Sequence, residues 1–190
     1  IYYAEALALR YSFLFAGGLA VVFALLLSWL TRGPVNLSRR DGFGVVTFGW
    51  LTVTIFGSLP YLFSGVIAHP VSALFETMSG FTTTGASVLN NLESLPRSIH
   101  FWRALTNWFG GMGVLVLCVA ILPFLGVGGM QIFRAEMPGP SKDRLTPRIT
   151  TTAKLLWGVY LLLSVSEAVL LRFVGGMGWF DAVCHTFTTM

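Results

Sequence analysis

The sequence predicts an all-α membrane protein in which long apolar helices flank a short segment that enters the membrane and returns on the same side. The 190 residues are 55% hydrophobic and 11% charged, whereas soluble domains carry about 25% charged residues. The mean hydropathy is +0.75. The net charge of +4 is concentrated in two connections between apolar stretches, which indicates a membrane protein and argues against nucleic-acid binding.

Four apolar stretches are candidate membrane spans. Residues 11–30 are twenty uncharged residues, which at 1.5 Å per residue match a hydrocarbon core about 30 Å thick. Longer uncharged stretches run over 42–75 and 104–133, and a further apolar stretch, 155–174, contains only two charged residues. We therefore expect about four spans, with Trp50 and Trp108 deep enough to be packing residues.

The basic residues predict the topology. Connections 32–41 and 134–154 hold eight of the twelve Lys and Arg residues, and the positive-inside rule places both in the cytoplasm. The chain between them must then cross the membrane an even number of times. It contains three apolar pieces: 43–67, 71–89 and 104–127. The middle piece is interrupted by Glu76, so we predict that it enters from outside and returns outside.

This middle piece has the pattern of an ion site. Pro70 suits the first position of a helix, and 71–80 would be about 15 Å of helix, half the membrane. A hydroxyl-rich extended segment, 81–87, follows. Its carbonyl oxygens can replace the water shell of a potassium ion, next to the partially negative end of the helix. The local residues alone also fit a Thr-rich turn between two ordinary helices, and the topology argues for the re-entrant segment.

Longer motifs carry a family resemblance. Residues 75–86 read FETMSGFTTTGA and resemble the first pore loop of the Trk/Ktr/HKT family of potassium transporters. Residues 102–113, WRALTNWFGGMG, and 121–131, ILPFLGVGGMQ, are similar to the helix that follows that loop. The connection over 134–148 is most similar to the TrkH branch. The resemblance covers essentially the whole chain.

The resemblance implies four helix, pore-loop, helix repeats around a potassium-selective pore. It assigns 1–41 to an extra helix and cytoplasmic loop, 42–130 to the first repeat, 131–154 to a cytoplasmic loop, and 155–190 to a truncated second repeat. Because the chain opens on Ile1 and stops inside an apolar, Thr-rich run, we expect it to be a fragment.

The resemblance also implies the biological setting. We expect potassium uptake across the bacterial cytoplasmic membrane, with potassium as the substrate, no covalently bound cofactor and no enzymatic activity. The implied partners are membrane lipid, a second copy in a homodimer and a cytoplasmic nucleotide-binding regulatory subunit of the TrkA type, which we expect to dock on the basic loop.

The filter residues expected from the resemblance are Thr82, Thr83, Thr84 and Gly85. Their carbonyl groups would bind potassium, with the ion at Thr83, Thr84 and Gly85. The glycine is the one essential glycine that the family places in each filter.

A second filter region is expected to start at Thr188 and Thr189. In this comparison Phe180-Asp181 corresponds to Phe75-Glu76, so that Glu76 and Asp181 lie near the starts of two short helices. There the helix dipole favours a carboxylate, or the two acids make an outer vestibule negative and concentrate cations.

Other functions remain open at this point. A secondary transporter with broken helices would bind another substrate at mid-membrane. An intramembrane enzyme is less favoured, because His100 and His185 form no recognisable set with a nucleophile and an acid. Glu167 and Arg172 lie in one span, where we expect them to pair or to reach the outer interface. Cys118 and Cys184 are expected to be buried small apolar residues.

Overall fold

The computed structural model describes residues 2–31, 39–92, 95–125 and 145–190. Within these ranges all regular structure is helical, which confirms the predicted fold class. The helices are α1 (Tyr2–Leu30), α2 (Arg39–Phe63), α3 (Pro70–Phe81), α4 (Arg97–Leu125), α5 (Leu145–Phe173) and α6 (Trp179–Thr189). Residues 32–38 and 126–144, which include most of the predicted cytoplasmic connections 32–41 and 134–154, lie outside the described residues, and the ends of both connections are helical, at the starts of α2 and α5.

Three of these helices contain stretches long and apolar enough to cross a membrane: Leu9–Leu30, Gly44–Phe63 and Thr151–Phe173. They coincide with three of the four predicted spans. The fourth prediction, 104–127, falls on α4, which is 29 residues long, and residues 126 and 127 of the predicted piece lie outside the described part of the chain.

The long helices leave much of their apolar surface uncovered. Only 6% of the apolar stretch of α1 is buried. The side chains of Phe15, Leu25 and Trp29 are each about two-thirds exposed. Large apolar surfaces of this kind are rare on soluble proteins and are normal where the neighbour is lipid or another membrane segment.

The chain forms two compact units, Ile1–Thr106 and Asn107–Met190, whose boundary lies within α4. In the first unit α1 packs on α2, with the rings of Phe23 and Phe56 5.1 Å apart, and α2 packs on α3. The indole N–H of Trp102 donates to the Gly57 carbonyl at 3.0 Å. This unit has a buried apolar core formed by Tyr61, Ile67, Ala73 and Ile99.

The second unit is organised around Trp108. Its ring stacks on Phe187 of α6 at 5.1 Å, and its indole N–H donates to the Ser164 hydroxyl at 3.0 Å. The Tyr160 hydroxyl donates to the Trp108 carbonyl at 2.9 Å. These contacts confirm the predicted packing role of Trp108, and they join this part of α4 to α5 and α6.

Candidate ion-binding site

The short helix before the Thr-rich segment forms as the sequence predicts. α3 begins at Pro70, whose missing amide costs nothing at a first helical position, and His69 before it has an extended backbone. The helix has 12 residues, about 18 Å at 1.5 Å per residue, which is too short to cross a bilayer. It packs on α2 through Gly57, because a Cβ at that position would lie 2.8 Å from the Thr77 methyl group.

The end of α3 is a compact hydrogen-bonded cap. The Thr83 amide donates to the Gly80 carbonyl at 2.9 Å, and the Thr84 amide donates to the Ser79 carbonyl at 3.0 Å. This pair of bonds is the Schellman motif, which requires a left-handed residue and usually has glycine there. Here Thr83 occupies that position with φ 55°. A β-branched residue in this conformation is strained, and such outliers are concentrated at functional sites.

Gly85 is the second left-handed residue of the segment. Its φ is 76°, and a Cβ added there would meet no heavy atom within 4 Å. A side chain would therefore be disfavoured by the backbone conformation and not by crowding. Thr83 is the one non-glycine residue with a positive φ in the described ranges, so Thr84, which separates the two, does not share their conformation.

Ser79 of α3 holds the chain on both sides of Gly85. Its carbonyl accepts the Thr84 amide at 3.0 Å, and its hydroxyl donates to the Ala86 carbonyl at 2.6 Å. One residue of the helix therefore fixes the backbone immediately before and immediately after the glycine.

Glu76 holds the chain further along. Arg103 of α4 donates from Nε to its Oε1 at 2.7 Å, and the Val88 amide donates to its Oε2 at 2.9 Å. The Ser87 hydroxyl lies 3.0 Å from both carboxylate oxygens. The Glu76 side chain is 1% exposed and that of Arg103 is 16% exposed, so the ion pair is largely removed from solvent.

The position of Glu76 differs from the predicted one. It is the seventh residue of α3 and does not lie near its start, whereas Asp181 is in the first turn of α6. Burial gives a different alignment of the two helices from the one based on the matching Phe and acidic residues. The fourth residue of each helix, Ala73 or Ala182, is 0% exposed, and so is the eighth residue of α3. The eighth residue of α6 is 1% exposed. Glu76 therefore corresponds to His185 of α6 by position.

Thr188 and Thr189 lie in the last turn of α6 and not in an extended segment. The Thr188 hydroxyl donates to the carbonyls of Cys184 and His185, and the Thr189 hydroxyl is 2.5 Å from a carboxylate oxygen of Glu167. In α3 the corresponding positions are helical too. The predicted extended segment 81–87 is wrong at its start, because Phe81 is the last residue of α3 and Thr82 (φ −89°, ψ 3°) and Thr83 (φ 55°) form the cap of that helix.

The charged residues of α5 have separate partners. Glu167 accepts the Thr189 hydroxyl, whereas Arg172 donates to the Met177 carbonyl at 3.0 Å and lies 5.7 Å from the centre of the Trp179 ring. Of the two expected arrangements of Glu167 and Arg172, mutual pairing or reaching the outer interface, the structure does not have the mutual pairing. Cys184 is buried as predicted, and Cys118 has no described side chain.

The groups of the segment after α3 that are available to a cation are its backbone carbonyl oxygens. No described residue donates a hydrogen bond to the carbonyls of Thr82, Thr83, Thr84 or Gly85. The hydroxyls of Thr82 and Thr84 bond to each other at 2.8 Å, and these residues are exposed. Within the described ranges no three His, Cys, Asp or Glu side chains are arranged to hold a metal ion. Backbone oxygens beside a helix C-terminus suit a monovalent cation.

Sequence reasoning missed the residues that support this segment: Ser79, Ser87 and Arg103. A signal for one of them was present. Arg103 and Glu76 are isolated opposite charges at the edges of apolar stretches, and isolated charges at membrane depth usually pair. The two serines carry no such signal, because small hydroxyl residues are common throughout the segment.

Comparison with known proteins identifies the family. The family model described as "TrkH: Cation transport protein" matches residues 11–190. The Trk system potassium uptake protein TrkH of Halomonas elongata is 50% identical over 157 residues, 82% of this chain and 32% of that protein. TrkH of Escherichia coli K12 is 49% identical over 174 residues, 90% of this chain and 36% of that protein. The chain thus spans about a third of the length of these relatives.

A solved structure agrees with the sequence matches. The crystal structure of the potassium transporter TrkH from Vibrio parahaemolyticus matches 97% of this chain and 41% of that chain, with a TM-score of 0.69 and 36% identity. The family is one of transport proteins, which agrees with the prediction that the chain is not an enzyme. The chain belongs to the TrkH family of cation transport proteins and is a helical membrane protein.

Proposed function

We propose that this chain contributes one segment of a potassium-selective path in a TrkH-type uptake protein of the bacterial inner membrane. The carbonyl groups of Thr82, Thr83, Thr84 and Gly85 bind the dehydrated ion. Relatives about 50% identical are named as potassium uptake proteins, which supports potassium as the substrate. The path needs segments beyond this chain, since the chain spans about a third of their length.

One observation carries the proposal: four consecutive exposed residues after the end of α3 have carbonyls with no hydrogen-bond donor among the described residues. A backbone carbonyl without a donor is normally satisfied by water. At membrane depth water is scarce, so a cation that exchanges its hydration shell for these oxygens is the natural ligand. The left-handed conformations of Thr83 and Gly85 rotate the peptide units of the segment relative to ordinary extended chain.

Replacement of Gly85 tests this function in a full-length protein carrying the segment. Gly85→Ser adds a Cβ to a left-handed residue, which costs about 1–2 kcal/mol. Rotation of the peptide relieves that strain and removes one oxygen from the ion. Because 1.4 kcal/mol is tenfold in binding, we expect the potassium-over-sodium flux ratio of reconstituted protein to fall about tenfold. An unchanged ratio would exclude this loop from the ion path.

Two controls separate loss of an ion ligand from loss of stability. Gly65→Ser meets the same backbone strain, since Gly65 has φ 74° and open space around it, but it lies between α2 and α3. It should lower stability without changing the flux ratio. Thr83→Ala keeps the carbonyl and should change the ratio less than Gly85→Ser.

The proposed topology makes α3 and the segment after it re-entrant, within a first repeat at 42–130. The length of α3, too short for a span, supports it. Asn90 then faces outside, whereas Arg40 and Lys142 face the cytoplasm. Cysteine labelling from outside at these three positions measures this; labelling of position 142 but not 90 contradicts the proposal.

The proposed partners are a second copy of the chain and a cytoplasmic nucleotide-binding subunit of the TrkA type, which docks on 131–154. The relatives' names describe a Trk system, which supports an assembly with more than one component. Residues 131–144 of this segment lie outside the described residues, and 145–154, with Arg148, form the start of α5. Charge reversal at Arg144 and Arg148 should reduce co-purification of the subunit, and undiminished co-purification would argue that the loop only sets topology.

A further inference from the structure

We propose that the ion pair of Glu76 and Arg103 is a positioning element that sets how strongly the 82–85 site prefers potassium over sodium. The inference rests on the proposed function of that site. Neither residue touches the ion in this proposal. Their part is to hold the backbone that leaves the site.

The pair is built to fix geometry. The carboxylate of Glu76 accepts from Arg103 Nε, from the Ser87 hydroxyl and from the Val88 amide, at 2.7–3.0 Å. A buried charge is tolerated only where paired and hydrogen-bonded, so the burial of Glu76 demands that these donors stay in place. Arg103 donates through Nε, a directional contact that keeps the carboxylate oriented toward the chain.

The donors come from two directions. Arg103 lies on α4, whereas Ser87 and Val88 lie two and three residues beyond Gly85. Glu76 therefore fastens the chain leaving the site to α3 and braces α3 against α4. A shift of this pair would be passed to Gly85 through only two residues.

Ser79 completes the attachment from the same helix. It is three residues after Glu76, which places the two on neighbouring positions of one helix face. Ser79 holds Thr84 and Ala86, and Glu76 holds the next two residues. The strained left-handed backbone between them persists because bonds on both sides over-determine it.

Two explanations exist for the potassium preference of carbonyl filters, and in both of them the preference depends on this attachment. Preference for potassium requires either a cavity of fixed size or a fixed number of carbonyl oxygens around the ion. A backbone released after Gly85 can close around a smaller ion or rotate a carbonyl away. Loosening the pair should therefore change the ratio of the two fluxes, and not only the amount of folded protein.

The sharpest variant is Ser87→Ala, because Ser87 is exposed and its loss leaves the ion pair itself intact. In full-length, reconstituted protein we expect the potassium-over-sodium flux ratio to fall about threefold. Glu76→Gln and Arg103→Gln should each lower it about tenfold in the protein that inserts, and the double variant should lower it no further, as expected for residues acting as one unit. A wild-type ratio in Ser87→Ala, or a double variant whose effect equals the product of the singles, overturns the proposal.

Asp181→Asn is the matched carboxylate control. If Glu76 acted through its field in a vestibule, its neutralisation and that of exposed Asp181 would lower both fluxes alike, and the effect would vanish near 1 M salt, where the screening length is about 3 Å. We expect the Glu76→Gln change in ratio to survive in high salt, and its disappearance there overturns the positioning role. If Gly85→Ser lowers the ratio while Ser87→Ala does not, the proposed function stands and this inference fails.

Discussion

The two short helices, α3 and α6, bury residues at the same positions along the helix but differ in the polar groups that support them. Each buries its fourth residue, Ala73 or Ala182, and its eighth, Thr77 or Thr186. In α3 the seventh residue is a buried glutamate paired with an arginine, whereas in α6 it is the exposed His185. Small buried residues thus set how such a helix packs, and the residues between them determine what holds the chain that follows.

The buried threonines show the same difference. The Thr77 hydroxyl donates to the Ala73 carbonyl at 2.8 Å, whereas the Thr186 hydroxyl has no hydrogen-bond partner among the described residues. A buried polar atom without a partner is unfavourable. The buried threonine of α3 is therefore satisfied within its own helix, whereas that of α6 is not satisfied by the described part of the chain.

The largest change in the free energy of unfolding is expected at the contact between α2 and α3. Gly57→Ala would place a Cβ 2.8 Å from the Thr77 methyl group and 3.0 Å from the Phe81 ring. Such overpacking should lower the free energy of unfolding by about 1–3 kcal/mol, measured by unfolding of full-length protein in detergent.

Gly49→Ala on the same helix is the control. Nothing lies within 4 Å of the Cβ position there, so the added methyl group should stabilise the helix by up to about 1 kcal/mol. Equal effects of the two substitutions would show that the contact between α2 and α3 is not close.

The next effect concerns the packing around α6. Ser164→Ala removes the acceptor of the Trp108 indole N–H and should lower the free energy of unfolding by about 1–2 kcal/mol. Ser166→Ala removes an exposed hydroxyl that bonds only to its own helix and should have an effect within about 0.5 kcal/mol. Equal losses in the same unfolding assay would indicate that Trp108 does not depend on Ser164.

The smallest effect distinguishes the two threonines. Thr186→Val keeps the shape and removes a hydroxyl without a described partner, so we expect a gain of about 0.5–1 kcal/mol in the free energy of unfolding. Thr77→Val, which removes a satisfied hydroxyl, should give no gain. A loss in Thr186→Val of the full-length protein would reveal a partner contributed by another part of that protein.

Much of the fold follows from the sequence. Apolar stretches of span length predicted α1, α2 and α5, and Pro70 together with the Thr-rich run predicted the bounds of α3 to within two residues. These features are local, because length, hydropathy and helix-end chemistry depend on neighbouring residues. Membership of the family was equally readable, since it rests on ordered motifs along the whole chain.

The contacts that support the segment after α3 were harder to predict from the sequence. Arg103 and Glu76 are 27 residues apart, and hydropathy alone does not say that they meet. The correspondence of Glu76 with Asp181 matched similar dipeptides, whereas burial follows Ala73 and Thr77, whose small side chains allow close packing. Long-range pairing and burial are set by tertiary contacts, which a local motif does not specify.

The cap at the end of α3 has a consequence for how the segment can vary among related proteins. Ser79 binds the residues just before and just after Gly85, so the number of residues between helix and glycine is fixed by hydrogen bonds that start on the helix. An inserted or deleted residue would move the glycine out of its left-handed position and break both bonds. Selection should therefore preserve the spacing from Ser79 to Ala86 more strictly than the identity of the residues between them.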